Sequence, residues 1–318
     1  MAKEMLSNEI SGVKFNPIIM NASGPKCTYE DELKKLAASD TGAVVLKSTT
    51  VEPRKGNPKP KYWDNEFGSI NSNGLENLGY KKTAEMADML AKEFRKPVIP
   101  SIAGLHYEDY LTMAEELGKT KAAALEINLS CPNIPGKPQV AYDSLQSKKV
   151  LEKVRELTNK PLFIKLPPYL ELIHQDEILE ILLEADVQAL ILINSVANTL
   201  SIDAEKEQAT ILPKKGLGGL GGKFIKPVAL GQVWSFHNKM KEKGKEIPII
   251  GVGGIYSGTD AFEFLLAGAS AVQVGTAYYQ EEGKIFRRLK EELMDLLEAK
   301  NYKNVKEVIG KLKTIEER

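Results

Sequence analysis

The side chains most able to carry chemistry in this 318-residue chain directly follow, or interrupt, short apolar runs. Lys47 follows AVVL, Asn128 ends AALEIN, and Lys165 is the one charged residue of LFIKL. Each alone has an ordinary explanation, because a lysine after a strand is commonly solvated and an asparagine there commonly forms a turn. Their recurrence favours a shared polar site, since polar surface carried into a sheltered place costs free energy unless a ligand or network satisfies it.

A second feature is the loop NLSCPNIPGKP at 128–138, which places Cys131 among three prolines and a glycine. Such a loop combines stiff parts with a hinge and suits a lid that carries a reactive group. A cysteine base requires a thiolate, whose formation depends on nearby charge, and Lys47 is the candidate for that charge. The two cysteines and three histidines show no zinc-ligand spacing, and a Cys–His pair has no local support. We expect Cys27 to be structural.

Glycines mark a third kind of site. GVGGI at 251–255 and VGT at 274–276 follow two apolar runs and predict a phosphate site, because glycine lets backbone N–H groups approach phosphate oxygens. The cluster GLGGLGG at 216–222 either covers a cofactor or is flexible. The segment SINSNGLENLG at 69–79 can form a polar cradle for an amide-rich ring, although in isolation a surface turn is the simpler interpretation.

The elements that position these residues form one repeating rhythm of short apolar runs and longer amphipathic stretches. Nearly continuous apolar runs suit parallel strands buried on both faces. Strands are predicted at 18–22, 43–47, 98–102, 123–129, 162–166, 189–194, 248–252 and 271–275. Helices are predicted at 30–38, 80–95, 107–118, 144–158, 175–185, 226–243, 258–268 and 282–298, with a last one near 303–313.

Eight such units in series predict a single (β/α)₈ TIM barrel domain over residues 1–318. A doubly wound open sheet is the alternative, but no strand leads into the G-x-G-x-x-G turn of a dinucleotide site. Two long excursions, 53–79 after strand 2 and 195–225 after strand 6, are expected to be functional because connections of this length usually are. In a barrel, the polar residues at the carboxyl ends of the strands all face one mouth.

Composition excludes several classes of protein. Lys+Arg and Asp+Glu are both 43, and this zero net charge argues against non-specific nucleic-acid binding. No apolar run reaches the roughly 18 residues of a membrane span, and no signal-peptide core is present. Two cysteines exclude a disulfide framework and fit a reducing compartment. We therefore expect a cytoplasmic protein with no nucleic-acid or membrane partner.

A set of longer motifs extends from about residue 15 to residue 280. They are MNASG at 20–24, LKSTT at 46–50, GNPKPKY at 56–62, SINSNGLENLG at 69–79, NLSCPNIPGKPQVAYD at 128–143, KLPPY at 165–169, INSVAN at 193–198, KKGLGGLGGKFIKPVAL at 214–230, GVGGIYSGTDAFEFLLAGA at 251–269 and VQVGTA at 272–277. Together they resemble the motifs of dihydroorotate dehydrogenases. The soluble class 1A subgroup, whose members are homodimers that use fumarate, is the most similar.

The resemblance implies an FMN-dependent barrel that oxidises dihydroorotate to orotate in pyrimidine biosynthesis, with fumarate using the same pocket and Cys131 as the catalytic base. Carried over by motif position, the substrate-binding residues are Lys47, Asn71, Asn73, Gly74, Leu75, Asn128, Asn133, Asn194 and Ser195. The implied FMN-binding residues are Ala22, Ser23, Lys47, Ser48, Asn128, Lys165, Ile193, Gly222, Gly253, Gly254, Gly275 and Thr276. No metal is implied.

Alternatives remain open. The family usually has Met where Asn73 stands and Pro where Glu76 stands, so a relative that acts on another dihydropyrimidine is one alternative. A barrel lyase in which Lys47 or Lys165 forms a Schiff base is another. A class 1B enzyme with an iron–sulfur partner is conceivable, but the loops match class 1A better. A class 2 enzyme is disfavoured, because its membrane helix and serine base are absent from this sequence.

Overall fold

A computed structural model describes residues 2–130 and 139–315 of the chain. All eight predicted apolar runs contain strands, and every pair among them is parallel. In chain order, the barrel strands are Ile19–Asn21, Val44–Val45, Val98–Ile99 continued by Ser101–Ile102, Leu125–Asn128, Leu162–Leu166, Ala189–Leu192, Ile249–Val252 and Ala269–Val274. The first strand pairs with the eighth, and the order then descends from the eighth strand to the third, which pairs with the second.

The ring closes between the first and second strands through a side chain and one backbone bond, from the N–H of Gly42 to the carbonyl of Ile19 at 2.8 Å. Asn21 Nδ2 donates to the carbonyl of Val45 at 2.7 Å, and the N–H of Val45 donates to Asn21 Oδ1 at 2.9 Å. The amide of Asn21, which is fully buried, thus replaces two ladder hydrogen bonds that the short strands lack. The closed ring confirms the (β/α)₈ prediction and rules out the open sheet.

Helices follow the strands as the amphipathic stretches predict. The main helices are Glu30–Ala38, Tyr80–Glu93, Tyr107–Gly118, Ser144–Leu157, Leu172–Glu184, Lys226–Glu242, Gly258–Leu266 and Lys284–Ala299, and the short ones are Ala2–Met5 and Thr276–Glu281. The last predicted helix is wrong, because 303–313 contains only the 3₁₀ turn Val305–Glu307. Gly310 has a φ of +70° there, and its N–H bonds to the carbonyl of Leu265 instead of continuing a helix.

The two excursions meet in one antiparallel sheet. The first supplies Tyr62–Asp64 and Gly68–Asn71, and the second supplies Val196–Leu200 and Leu217–Gly222. Gly68–Asn71 and Leu217–Gly222 are its central strands, with Asn71 opposite Gly219. This excursion sheet places the SINSNG segment and the GLGGLGG segment side by side, although about 150 residues separate them in the sequence.

The amino ends of the strands are covered by an N-terminal hairpin, Asn8–Ile10 paired with Val13–Phe15. Phe15 is fully buried, with its ring 6.4 Å from the ring of Phe163. The excursion sheet and the polar residues at the carboxyl ends of the strands lie at the opposite end of the barrel. Across residues 2–130 and 139–315, no helix has the length and apolar character needed to cross a membrane.

Candidate functional site

A cavity of about 810 Å³ lies at the carboxyl ends of the barrel strands, with the excursion sheet forming one wall. It gathers residues from nearly every strand end, as a barrel mouth should. The predicted site residues that line it are Ala22, Ser23, Lys47, Ser48, Asn71, Asn73, Leu75, Asn128, Lys165, Ile193, Asn194, Ser195, Gly222, Gly253, Gly254, Gly275 and Thr276.

Three of the predicted site residues are not among those that line the cavity. Cys131 and Asn133 lie outside the described residues. Gly74 is not among the lining residues, although its neighbours Asn73 and Leu75 are, and its carbonyl accepts a hydrogen bond from Arg54 Nε at 3.2 Å. A β-carbon on Gly74 would lie 2.5 Å from the side-chain oxygen of Asn57, so this glycine supports the loop.

The floor of the cavity is a buried polar network. Lys165 Nζ donates to Ser23 Oγ at 3.3 Å, and Asn128 Nδ2 donates to Ser48 Oγ at 3.1 Å. Lys165 and Asn128 face each other on neighbouring strands, and each is only 5% exposed. A lysine ammonium held at this depth can stabilise negative charge on a bound ligand.

Sequence reasoning missed the group beneath this floor. Glu126 is fully buried and accepts hydrogen bonds from Ser23 Oγ at 2.5 Å and Ser101 Oγ at 2.7 Å. Gln273 Nε2 lies 3.3 Å from its other oxygen. The available signal was a carboxylate inside the otherwise apolar run LEI, because an acidic residue is rarely fully buried without a partner.

Side-chain amides form one flank of the cavity. Asn194 Nδ2 donates to the carbonyl of Ser130 at 2.8 Å, and its Oδ1 accepts from the N–H of Ser195 at 2.8 Å. Asn71 Nδ2 donates to the carbonyl of Gly219 at 3.1 Å, and Asn73 lies beside Asn71. The polar-cradle interpretation of SINSNG therefore describes this segment better than the surface turn does.

Charged groups surround the rim. Lys47 Nζ reaches the carbonyl of Ser23 at 3.4 Å. Glu76 pairs with Lys61 and accepts a hydrogen bond from the Tyr29 hydroxyl at 3.0 Å. Burial alone would raise the pKa of Glu76, but the bonds from Lys61 and Tyr29 outweigh it and lower that pKa. This carboxylate is therefore charged at neutral pH.

The glycine segments form the far end of the cavity. Gly254 has a φ of +72°, and a β-carbon there would lie 2.9 Å from the carbonyl oxygen of Gly222. Gly275 has room for a β-carbon, with Ala22 the nearest group at 3.9 Å, so its backbone is open to a ligand. Thr276 Oγ1 bonds to Ser69 Oγ of the excursion sheet at 2.9 Å. Exposed glycine backbone beside hydroxyls suits a phosphate group.

Glycine backbone at one end and a buried lysine at the other fit a long anionic ligand with a phosphate tail, and FMN has that form. Cys27 is not among the residues that line this cavity: its side chain is buried, and burial raises the pKa of its thiol to about 12. Within residues 2–130 and 139–315, no cluster of His, Cys, Asp and Glu could hold a metal ion.

The fold and the site define the general class of this protein: it is a closed α/β barrel with a ligand cavity at the carboxyl ends of its strands. The family model that matches, over residues 5–297, is described as dihydroorotate dehydrogenase. The chain is 44% identical over 310 residues to the probable dihydroorotate dehydrogenase A (fumarate) of Enterococcus faecalis, covering 97% of this chain and 99% of that protein. It is 42% identical over 314 residues to dihydroorotate dehydrogenase A (fumarate) of Lactococcus lactis, covering 98% and 100%.

It is also 44% identical over 313 residues to dihydroorotate dehydrogenase (fumarate) of Trypanosoma cruzi, covering 97% of this chain and 98% of that protein. Among solved structures, the Eimeria tenella dihydroorotate dehydrogenase in complex with ferulenol matches the fold with a TM-score of 0.81 at 23% identity, covering 96% of this chain and 88% of that one. The chain belongs to the dihydroorotate dehydrogenase family.

Proposed function

We propose that this chain catalyses the FMN-dependent oxidation of dihydroorotate to orotate, with fumarate as the electron acceptor, in pyrimidine biosynthesis. The observation that carries the proposal is one cavity that joins exposed glycine backbone, a buried lysine and a cluster of side-chain amides. The names of the relatives from E. faecalis, L. lactis and T. cruzi support the same reaction and acceptor. We propose that residues 1–318 act as one barrel domain.

The FMN phosphate would bind the backbone of Gly253, Gly254, Gly275 and Thr276, and the ring system would lie over Ser23, Ser48, Asn128 and Lys165, with Ala22, Ile193, Gly222 and Lys47 completing the walls. When bound, FMN supplies the acceptor for the hydride that leaves the substrate. The buried position of Lys165 would keep its ammonium close to a bound ring, with little water to screen its charge.

The substrate would bind between the floor and the excursion sheet. Amide groups both donate and accept, so Asn71, Asn73 and Asn194 match the N–H and C=O groups of a dihydropyrimidine ring. Lys47 is positioned at the rim to pair with its carboxylate. Gly74, Leu75, Asn128, Asn133 and Ser195 complete the proposed substrate set.

Cys131 is the proposed base. The oxidation removes a proton from the carbon next to a ring carbonyl and a hydride from the neighbouring ring carbon, so that a carbon–carbon double bond forms. The Cys131 thiolate takes the proton on one face of the ring, while the hydride leaves from the other face. Fumarate afterwards takes up the two electrons and two protons to give succinate.

The absorbance spectrum of the purified protein tests cofactor, substrate and acceptor together. We expect a flavin band that bleaches when dihydroorotate is added without oxygen and returns when fumarate is added. A colourless protein that binds no added FMN would exclude the proposal. A flavin that dihydroorotate does not bleach would exclude the substrate.

The base is tested separately. Cys131→Ala should retain bound FMN but lose turnover by about 10²- to 10⁴-fold, the usual contribution of a general base. Cys27→Ala is the matched control, because the Cys27 side chain is buried and does not line the cavity, and it should keep its turnover. Steady-state rates and flavin spectra of both variants provide the measurement. Turnover of the Cys131 variant at a rate near wild type would refute the assignment.

A second candidate is a flavoenzyme that oxidises a different dihydropyrimidine. Its support is that Asn73 and Glu76, the two departures from the family pattern, both line the cavity. Rates with dihydroorotate, dihydrouracil and dihydrothymine separate the two candidates. A preference for a ring without a carboxylate would favour the second.

We also propose a cytoplasmic homodimer, on the basis of the resemblance to class 1A enzymes. Light scattering during size-exclusion chromatography measures the mass in solution directly. A mass close to twice 35.1 kDa is expected, and a monomer at micromolar concentration would contradict the dimer.

A further inference from the structure

Glu126 is a buried carboxylate that the proposed function does not use. It precedes Asn128 by two residues on the fourth strand, so both side chains point to the same side of the strand, toward the barrel interior. Its register partner on the third strand is Ser101, and the fifth-strand residue opposite Asn128 is Lys165. Glu126 therefore lies one layer below the cavity floor.

Oε1 of Glu126 accepts hydrogen bonds, and this fixes the direction of the bonds from the two serines around it. Ser23 and Ser101 each have one hydroxyl proton, and both donate it to Glu126 Oε1, at 2.5 and 2.7 Å. The oxygens of these two serines are then left to accept. Each serine is therefore the second group in a series of hydrogen bonds that begins at Glu126 Oε1.

The first chain ends at Lys165. Its Nζ donates to Ser23 Oγ at 3.3 Å and lies 3.9 Å from Glu126 Oε1. One ammonium proton is thereby fixed toward the barrel interior. The Lys165 side chain is only 6% exposed, so without a nearby carboxylate its charge would be costly to bury.

The second chain ends at Asn128. Since Ser23 and Ser101 both give their protons to Glu126, Ser48 is the donor toward these two serines, at 2.9 Å to Ser101 and 3.4 Å to Ser23. The oxygen of Ser48 then accepts from Asn128 Nδ2 at 3.1 Å. The amide of Asn128 is thus oriented with Oδ1 toward Ser130, whose N–H donates to it at 3.0 Å.

We propose that Glu126 is a positioning residue for the cofactor site, because its acceptor-only carboxylate orients both hydrogen-bond chains and balances the charge of Lys165. The inference rests on the proposed function, since Lys165 and Asn128 are assigned there to the flavin. Glu126 itself does not line the cavity and acts only through these neighbours.

The test uses the FMN-loaded enzyme and sulfite, an anion that adds reversibly to a protein-bound flavin and reports nearby positive charge. Glu126→Gln keeps the shape but removes the negative charge. At pH 6 we expect the variant to bind sulfite about tenfold or more tightly, because one uncompensated charge near the flavin is worth at least that much. Glu126→Asp, which keeps the charge, should stay within about threefold of wild type on the same basis.

Two further variants make the result specific. Glu292→Gln is the same chemical change on the outer helix Lys284–Ala299 and should leave sulfite binding unchanged. Ser101→Ala removes the shorter of the two contacts that orient the Ser48 hydroxyl and leaves the pairing of Lys165 in place. It should therefore weaken orotate binding about threefold to tenfold while sulfite binding stays at the wild-type value.

An FMN-loaded Glu126→Gln enzyme with wild-type sulfite affinity would overturn the proposal, as would equal effects of Gln and Asp. If Glu126→Gln does not fold or retain FMN, Ser101→Ala decides, and unchanged orotate binding in that variant would overturn the claim. A wild-type protein without flavin would instead refute the proposed function, so the two failures are distinct.

Discussion

At the scale of single residues, Asn21 shows how a strand-end polar residue can serve the fold instead of the ligand. It belongs to the MNASG motif, yet its amide is fully buried and bonds both backbone groups of Val45. The barrel needs this bridge because the first and second strands are only three and two residues long. Asn21 therefore determines how the ring closes.

Replacing Asn21 should destabilise the protein strongly. Asn21→Ala leaves a buried N–H and a buried C=O of Val45 without partners, and we expect the free energy of unfolding to fall by about 2–4 kcal/mol. Urea unfolding of the FMN-free wild type and variant measures this difference in the free energy of unfolding.

Asn8→Ala serves as the control, because Asn8 makes one long-range bond, to the carbonyl of Ser270 at 3.0 Å, in a less buried place. It should cost about 1 kcal/mol. Equal losses in the two variants would contradict a special role for Asn21.

At the scale of elements, the excursion sheet explains why the second excursion is so rich in glycine. A β-carbon on Gly219 would lie 2.3 Å from Ser195 Oγ, and one on Gly218 would lie 2.6 Å from a methyl carbon of Ile70. The strand can therefore pack closely against its neighbours and against the proposed substrate end of the cavity only if these side chains are absent.

Gly219→Ala should weaken ligand binding by moving this strand. Because the contact is at the substrate end, we expect orotate affinity to fall by about tenfold, equivalent to roughly 1.4 kcal/mol. Titration of the flavin spectrum with orotate measures the change.

Gly231→Ala is the matched control, because Gly231 lies in the helix Lys226–Glu242 with open space around it. This variant should bind orotate normally and gain about 0.5–1 kcal/mol of stability from the better helix former. If both variants bind orotate like wild type, the glycine strand does not shape the site.

At the scale of the whole molecule, the balanced net charge hides an uneven distribution. Five lysines but only two glutamates line the cavity: Lys26, Lys47, Lys59, Lys61 and Lys165, against Glu32 and Glu76. A cavity lined mostly by one sign of charge concentrates ligands of the opposite sign. The zero net charge that argues against nucleic acid is thus compatible with anionic substrates.

Charge also links the outer helices behind the glycine end of the cavity. Lys226 Nζ bonds to Asp260 at 2.6 Å and Glu263 at 2.7 Å, and so ties Lys226–Glu242 to Gly258–Leu266. Burial alone would raise the pKa of Asp260, but the bonds from Lys226 and the N–H of Tyr256 lower it. Asp260 thus contributes stability above its ordinary pKa of 3.8, and this is lost as the pH falls through its lower folded-state pKa.

Removing the lysine should change this pH dependence. In Lys226→Met, the folded-state pKa of Asp260 moves back toward 3.8 or above, so the melting temperature should fall less steeply below that pH than in wild type. Lys153→Met removes the same charge from an exposed pair with Glu156 and should keep the wild-type slope. If the melting temperatures of wild type, Lys226→Met and Lys153→Met fall with the same slope below pH 3.8, the pairing of Lys226 with Asp260 does not contribute to the acid dependence of stability.

Much of the fold could be predicted because it depends on local patterns. The buried run LFIKL and the helical spacing of 107–118 each carry enough apolar periodicity to identify their element. The stretch 303–313 carries a similar pattern, but Gly310 and backbone bonds to Leu265 hold it in a turn. Tertiary contacts outweighed local propensity there.

The candidate site, too, could be predicted only in part. Lys165 and the GVGGI turn could be identified as candidates because a polar residue or a glycine pair at a strand end stands out in the sequence, and both line the cavity. The acidic residue inside the run LEI is a local signal, but its partner Ser23 is 103 residues away, so the network around Glu126 could not be predicted. Gly74 carries a motif match but is not among the residues that line the cavity, and its loop packs on Asn57.

By itself, the sequence determined the alternation of strands and helices, the glycine turns and the resemblance to dihydroorotate dehydrogenases, because each of these is written in neighbouring residues. Only the tertiary structure decided that Asn21 closes the ring and that Glu126 lies beneath Lys165. It also decided that two distant excursions share one sheet. The physical reason is that hydrogen-bond partners and close packing depend on how strands far apart in the chain are arranged around the barrel.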